Sequence, residues 1–177
     1  METAKLERIK SIIRDVPDFP KKGILFRDLT TAFKDGGALR DITDEMVAMY
    51  RNLGVTKVVG IESRGFIMGA ILAKELGAGF VPIRKPGKLP ADTIKQTYEK
   101  EYGTDTIEMH KDAITSDDIV VIHDDLLATG GTMLAALDLV KSQNPKQVYV
   151  DFIVELCGLE GRKLFPADVQ VNALIKY

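Results

Sequence analysis

Asp124 and Asp125 are neighbouring carboxylates set between a β-branched run, Ile119-Val120-Val121-Ile122-His123, and a tight segment, Leu126-Leu127-Ala128-Thr129-Gly130-Gly131-Thr132. A helix pattern opens at Thr132. A helix N-terminus presents unpaired N–H groups and the positive end of its dipole. Gly130 and Gly131 let the backbone close around an anion with no Cβ in the way, and Thr129 and Thr132 add hydroxyl donors. The turn therefore suits a phosphate monoester. The two carboxylates would repel a phosphate laid against them; they suit hydroxyls, or a magnesium ion through its waters. A group with a phosphate at one end and a vicinal diol nearby is a ribose 5-phosphate. Taken piece by piece, the same residues also read as a strand ended by surface aspartates, a Gly-Gly turn and a threonine cap.

A second strand–turn–helix carries Ile61-Glu62-Ser63-Arg64-Gly65-Phe66. Ser63 can cap the helix, and Arg64 offers a planar fork suited to phosphate, or is a solvated side chain on an ordinary helix. Next, Arg84, Lys85 and Lys88 place three cations within five residues, either a solvated patch or a second anion site. Gly87-Lys88 is not a nucleotide-binding P-loop, because Leu89 follows and Pro82 stands where the first glycine belongs. The dinucleotide fingerprint fails at the same proline. His123, beside the acidic pair, reads as a partnered strand-end histidine or as a pH-sensitive neighbour of Asp124.

These residues need elements to position them. Leu6, Ile9, Ile12 and Ile13 recur at helical spacing, and Val16-Pro17-Asp18-Phe19-Pro20 ends that helix. Residues 21–37 read as an arm with little regular structure, and a helix runs from about Ala38 to Leu53. Strands at 57–61, 79–83, 119–123, 147–154 and 169–175 then alternate with helices at 65–76 and 132–142. The polar stretch 84–118 interrupts them with a few strand-like pieces, and within it residues 91–107 read as a long irregular insertion. Strands alternating with helices imply an α/β fold with a central, mostly parallel sheet flanked by helices. Ligands of such sheets bind beyond the carboxyl ends of the strands, here just after Ile61, Ile83 and His123.

The 177 residues, 45% apolar and 28% charged with a net charge of −2, fit one globular domain and suggest neither a nucleic-acid nor a membrane partner. The single cysteine, Cys157, allows no internal disulfide, agrees with a cytoplasmic location and reads as a small buried hydrophobe rather than a reactive thiol. With only His110 and His123, a Cys/His metal site is not expected.

The string from Val120 to Thr132 resembles the phosphoribosyl pyrophosphate (PRPP) motif of the type I phosphoribosyltransferase family, and Asp-Asp-Leu-Leu-Ala-Thr-Gly-Gly-Thr resembles its adenine-specific branch. His123 departs from the family's fourth hydrophobic position. The resemblance runs over roughly residues 15–177. It implies one domain, 1–177, with a small N-terminal hood arm at about 15–37 and a flexible catalytic loop at about 84–107. The implied reaction moves the 5-phosphoribosyl group of PRPP to N9 of adenine, giving AMP and pyrophosphate.

By the same resemblance, Asp124 to Thr132 (Asp124, Asp125, Leu126, Leu127, Ala128, Thr129, Gly130, Gly131, Thr132) bind the ribose and 5-phosphate. Glu62, Ser63, Arg64, Arg84, Lys85 and Lys88 serve the pyrophosphate, and Glu62–Ser63 is the candidate cis peptide. Phe26 stacks on the purine, backbone groups of Leu25 and Arg27 read its edge, and Leu156 covers its other face; without the family, Phe26 reads as core packing. Tyr98, Glu101, Tyr102 and Gly103 match the family's lid element, with Glu101 the proton-transfer residue and Tyr98 and Tyr102 lid residues; from the residues alone Glu101 is a solvated side chain. Mg2+ is expected through PRPP and pyrophosphate, with no direct protein ligand, and the assembly is expected to be a homodimer. Purine repressors that keep such a domain carry a DNA-binding domain for which 177 residues leave no room, and other purine enzymes of the family differ in the loop at Ala128–Thr132.

Overall fold

The structure, a computed structural model, describes residues 3–19, 21–99 and 103–177. Helix α1 (Thr3–Ile12) buries Ile9, and Ile13 follows it into the core. The chain then turns straight into strand β1 (Arg14–Pro17), which pairs antiparallel with β2 (Leu25–Asp28), placing Asp15 opposite Arg27 and Val16 opposite Phe26. A one-turn helix α2 (Thr30–Phe33) and helix α3 (Gly36–Tyr50) follow. The arm is thus a hairpin and a helical turn, where the sequence suggested little regular structure. Two four-residue strands are too short to show an alternation. Cross-strand pairs, Arg14 with Asp28 at 2.5 Å and Arg27 with Asp15, mark them instead. Helix α3 begins two residues before the expected Ala38, because Asp35 accepts a hydrogen bond from the Ala38 N–H at 2.7 Å and caps it.

Beyond α3 the chain alternates: β3 (Lys57–Ile61), α4 (Gly65–Leu76) and β4 (Gly79–Ile83). Strands β5 (Thr93–Glu99) and β6 (Thr104–His110) come next, then β7 (Ile119–Leu127), α5 (Gly131–Lys141), β8 (Gln147–Glu155) and β9 (Gln170–Lys176). Two 3-10 turns, Cys157–Leu159 and Gly161–Leu164, join the last two strands. The central sheet has five strands in the order β4-β3-β7-β8-β9, and every pairing in it is parallel.

Successive side chains of these strands serve opposite faces. Val58 and Val121 lie opposite each other in the register and pack with Ile42, Met46, Met68 and Leu72 of α3 and α4. Val59 and Ile122, the next pair, pack on the other face with Met133, Ala136, Leu137 and Val140 of α5. Each such large apolar side chain stabilises the fold by about 1.5–3 kcal/mol relative to an exposed one. The strands therefore read as unbroken apolar runs, as a sheet covered on both faces requires.

Two further expectations are corrected. The insertion at 91–107 is not irregular: β5 and β6 form an antiparallel hairpin, with Ile94 opposite Met109, Gln96 opposite Ile107 and Tyr98 opposite Asp105. Ile107 and Met109 are buried against α5, with Ile94 and Tyr98 packed beside them. A period of two was present, but Gln96 and Asp105 dilute its apolar face. Strand β7 also runs four residues past His123, so Asp124 and Asp125 sit within the ladder, Asp124 opposite Phe152 of β8.

Candidate active site

The carboxyl ends of β3, β4 and β7 meet at one place. After β7, residues 128–132 turn into α5, with Gly130 at φ 88° heading the helix. A Cβ there would be strained by that φ and would also come within 2.9 Å of the Gly161 carbonyl oxygen. The turn lines an open cavity of about 100 Å³ with Asp124 at its edge and Phe152 behind it. Leu127 lines the cavity as well and is otherwise buried in the core. A second cavity, about 220 Å³, is lined by Glu62, Arg84, Lys85, Tyr98, Asp124 and Thr132 among others. Asp124 and Thr132 line both, so the two form one groove.

Alternation along β7 separates the acidic pair. Asp124 faces the groove, and its Oδ1 accepts the Asp125 N–H at 2.9 Å. Burial, and then the charge of Asp125, push its carboxyl up to about 7. Asp125, 2% exposed, faces α4 and accepts the Arg64 Nε–H at 2.5 Å. The Arg64 guanidinium also lies 5.5 Å from the centre of the Phe26 ring. Arg64 thus stands between Asp125 and the hood rather than among the other cations.

Glu62 gathers those cations. Its carboxylate accepts from Arg84 Nη2 at 3.0 Å and Nε at 3.2 Å, from Lys88 Nζ at 3.3 Å and from the Lys85 N–H at 3.0 Å. The Arg84 contact, foremost, holds the Glu62 carboxyl down at about 2. Lys85 Nζ pairs with Asp105 of the hairpin. The Glu62–Ser63 peptide is cis. Ser63 does not cap α4 through its side chain: no side-chain cap is formed, and its backbone carbonyl accepts the Phe66 N–H at 3.2 Å instead.

On the hood, Phe26 meets Phe19 edge to face at 5.2 Å. It is half-buried and not part of either core cluster. Leu25 is exposed, and its cross-strand partner Pro17 has no N–H to give its carbonyl. Arg27 turns away, stacking 4.0 Å over the Tyr177 ring. Leu156 follows β8, tied by its N–H to the Leu127 carbonyl at 2.9 Å. Cys157, read from the sequence as buried, is exposed on the turn after it, since the strand ends at Glu155. Tyr98 reaches the glycine turn, its hydroxyl 3.0 Å from Thr132 Oγ1. Glu101 and Tyr102 lie outside the described residues.

Sequence reasoning missed two supports. Gly161 backs the glycine turn so closely that a Cβ on it would lie 2.2 Å from the Ala128 oxygen. Arg162 pins that backing, donating to Glu155 Oε1 at 2.8 Å and Oε2 at 2.5 Å and to the Val171 carbonyl at 2.6 Å. His123 takes the partnered reading: it is buried on the α3 and α4 face, with Nδ1 2.7 Å from Asp151 Oδ2. Tyr50 donates to Asp151 at 2.8 Å and accepts from Asn172 at 2.9 Å. His123, Asp151 and Asn172 are in register on three adjacent strands, so a polar row crosses the sheet beside the acidic pair. Of the two missed supports only Gly161, next to a lone Glu-Gly-Arg turn, carried any local sequence signal.

Residues 30–159 match the phosphoribosyl transferase domain family. The adenine phosphoribosyltransferase of Bacteroides fragilis is 60% identical over 97% of this chain and 96% of its own length. The crystal structure of adenine phosphoribosyltransferase from Rhodothermus marinus superposes with a TM-score of 0.94 at 49% identity, covering 99% of this chain and 100% of that one. The enzyme of Giardia lamblia, solved in complex with 9-deazaadenine, gives 0.92 at 41% identity over 97% of both chains. With a parallel sheet, a glycine turn at its carboxyl edge and relatives matched end to end, the chain belongs to the phosphoribosyl transferase family, among the adenine phosphoribosyltransferases.

Proposed function

We propose that the protein transfers the 5-phosphoribosyl group of PRPP to N9 of adenine, giving AMP and pyrophosphate. The observation that carries this reading is the groove that joins the glycine turn, Asp124 and the cations Arg84 and Lys85. That order matches the order of groups along PRPP: a terminal phosphate, a diol and a pyrophosphate.

Main-chain amides of residues 129–132, with the Thr129 and Thr132 hydroxyls, hold the 5-phosphate at the α5 N-terminus. Leu126, Leu127 and Ala128 shape the turn. Asp124 and Asp125 accept hydrogen bonds from the ribose hydroxyls. Arg84, Lys85 and Lys88, oriented through Glu62, meet the leaving pyrophosphate together with the backbone at Ser63, and Arg64 adds charge from the ribose side. Phe26 stacks on the purine, and the Leu25 carbonyl and Arg27 backbone read its edge. A 6-oxo purine would leave those groups mismatched, which discriminates strongly. Leu156 covers the opposite face. N9 attacks the ribosyl carbon as pyrophosphate departs, with inversion, through an oxocarbenium-like state. Glu101 transfers a purine proton, and Tyr98 and Tyr102 belong to the loop that excludes water over the reactants.

Mg2+, held by pyrophosphate oxygens and water, would offset charge on the leaving group. The acidic pair suits that role as an acceptor for the ion's waters, and no cluster of three or more metal-binding side chains occurs among the described residues. We further propose a homodimer acting in the cytoplasm; two-fold pairing is the commonest assembly. No helix among the described residues is long and apolar enough to cross a membrane.

Supplying PRPP and Mg2+ with adenine, hypoxanthine, guanine or xanthine in turn tests the reading. Nucleotide and pyrophosphate should form with adenine alone. Comparable turnover of a 6-oxo purine would overturn the base assignment, and binding of PRPP without turnover of any base would make the protein a binding module.

A further inference from the structure

The β1–β2 hairpin that carries Phe26 is a separate two-stranded sheet, with no pairing to the central five strands. A lone hairpin is marginal, so side-chain contacts must fix where it sits relative to the sheet. One such contact is Arg27 with Tyr177. The guanidinium carbon lies 4.0 Å from the ring centre, and Asp15 of β1 holds the same guanidinium from across the hairpin. Lys10 of α1 reaches the ring as well, at 5.7 Å.

Tyr177 is itself anchored to the sheet. Its N–H donates to the Glu155 carbonyl at 3.0 Å, and its carbonyl accepts the Cys157 N–H at 2.9 Å. Those two bonds bracket Leu156. The Tyr177 hydroxyl is buried without a partner among the described residues, so the ring, not the hydroxyl, makes the contact. A chain of direct contacts therefore runs from the backbone flanking Leu156, through the Tyr177 ring, to Arg27 and the strand that bears Phe26.

We infer that Tyr177 is a positioning residue for the purine: its ring, stacked on Arg27, sets the distance between the hood strand and the segment around Leu156, and so the width of the slot for a flat aromatic base. The inference rests on the base-binding reading of Phe26 and Leu156.

The test measures the KM for adenine, the KM for PRPP and kcat in nucleotide formation. Tyr177→Leu, which keeps apolar bulk and removes the π face, should raise the adenine KM about three- to tenfold, the span of a partly desolvated cation–π contact, with the PRPP KM within about twofold of the parent. Tyr177→Phe should restore the parent adenine KM. Arg27→Met removes the same stack from the other side and should reproduce the split; it also serves if Tyr177→Leu does not fold. An unmoved adenine KM in the folded variants, an equal rise in both KM values, or Tyr177→Phe as defective as Tyr177→Leu would each overturn the inference. Phe26→Ala separates the layers. If it raises the adenine KM selectively while Tyr177→Leu does not, the base slot stands and the positioning role fails. If it leaves the adenine KM unchanged, the base slot itself is wrong and the inference falls with it.

Discussion

Arg64 Nε stands 2.5 Å from Asp125 Oδ2, joining the turn after β3 to the acidic end of β7. Asp125 is nearly inaccessible while the Arg64 side chain is 45% exposed, so the arginine covers the carboxylate from the solvent side. The same cation also faces the ring of Phe26.

Arg64→Lys keeps the charge and loses the planar fork. A buried carboxylate that loses a charge-assisted hydrogen bond costs about 1.5–3 kcal/mol, so kcat/KM for PRPP should fall by roughly ten- to a hundredfold. Steady-state kinetics with PRPP varied at saturating adenine would check this. A change of less than about twofold would return Arg64 to the role of a solvated side chain.

Asp124 gives a pH signature. Its folded-state carboxyl is raised to about 7 by burial and by Asp125, whereas an unfolded aspartate titrates near 4. Between those values the folded protein holds a proton that the unfolded chain has lost. Stability from this group is therefore highest below about pH 4, falls as pH rises toward about 7, and is level above it. Asp124→Asn removes the effect. Melting temperatures of the two proteins should diverge between about pH 4 and about pH 7, the variant gaining on the parent, and run level above that. Parallel curves would mean that the carboxyl is ionised throughout.

Gly161→Ala tests the backing of the phosphate turn. A methyl group 2.2 Å from the Ala128 oxygen cannot be housed unless the turn shifts. Overpacking of this kind costs about 1–3 kcal/mol, here directed at residues 128–130. The PRPP KM should rise about tenfold or more while the adenine KM changes little. Binding of ribose 5-phosphate, measured by calorimetry, should weaken in step.

Glu101→Ala should lower kcat by roughly 10²–10⁴, the usual contribution of a general acid–base group. Single-turnover measurements would confirm that chemistry limits the rate in the variant. An unchanged chemical step would remove Glu101 from proton transfer.

The apolar runs of β3, β7 and β8 made the sheet legible, since strands buried on both faces leave long uninterrupted stretches such as Val120–Ile122. The glycine turn was legible too, because Gly130 and Thr132 sit at positions the chemistry dictates. The hood hairpin was not. Its strands are held by Arg14–Asp28 and Arg27–Asp15, pairs that no local pattern announces. The polar row of His123, Asp151, Asn172 and Tyr50 was hidden for a related reason: its members are far apart in the chain and meet only through strand register and the packing of α3. Tyr98 illustrates the middle case, named as a lid residue yet resting on Thr132 by way of a hairpin read as a loop.

Glu62 has a consequence for selectivity. Before any ligand arrives, Arg84 and Lys88 already share its carboxylate, and Lys85 has Asp105. The basic edge of the groove is thus electrically close to quiet, and an arriving anion has to displace a resident one. Chloride, with one charge and no fixed geometry, gains little from that exchange. A diphosphate, with several charges and many oxygens, can engage all three cations at once. If the proposed pyrophosphate site is right, the built-in counterion sets a threshold that a diphosphate passes and a weak salt does not.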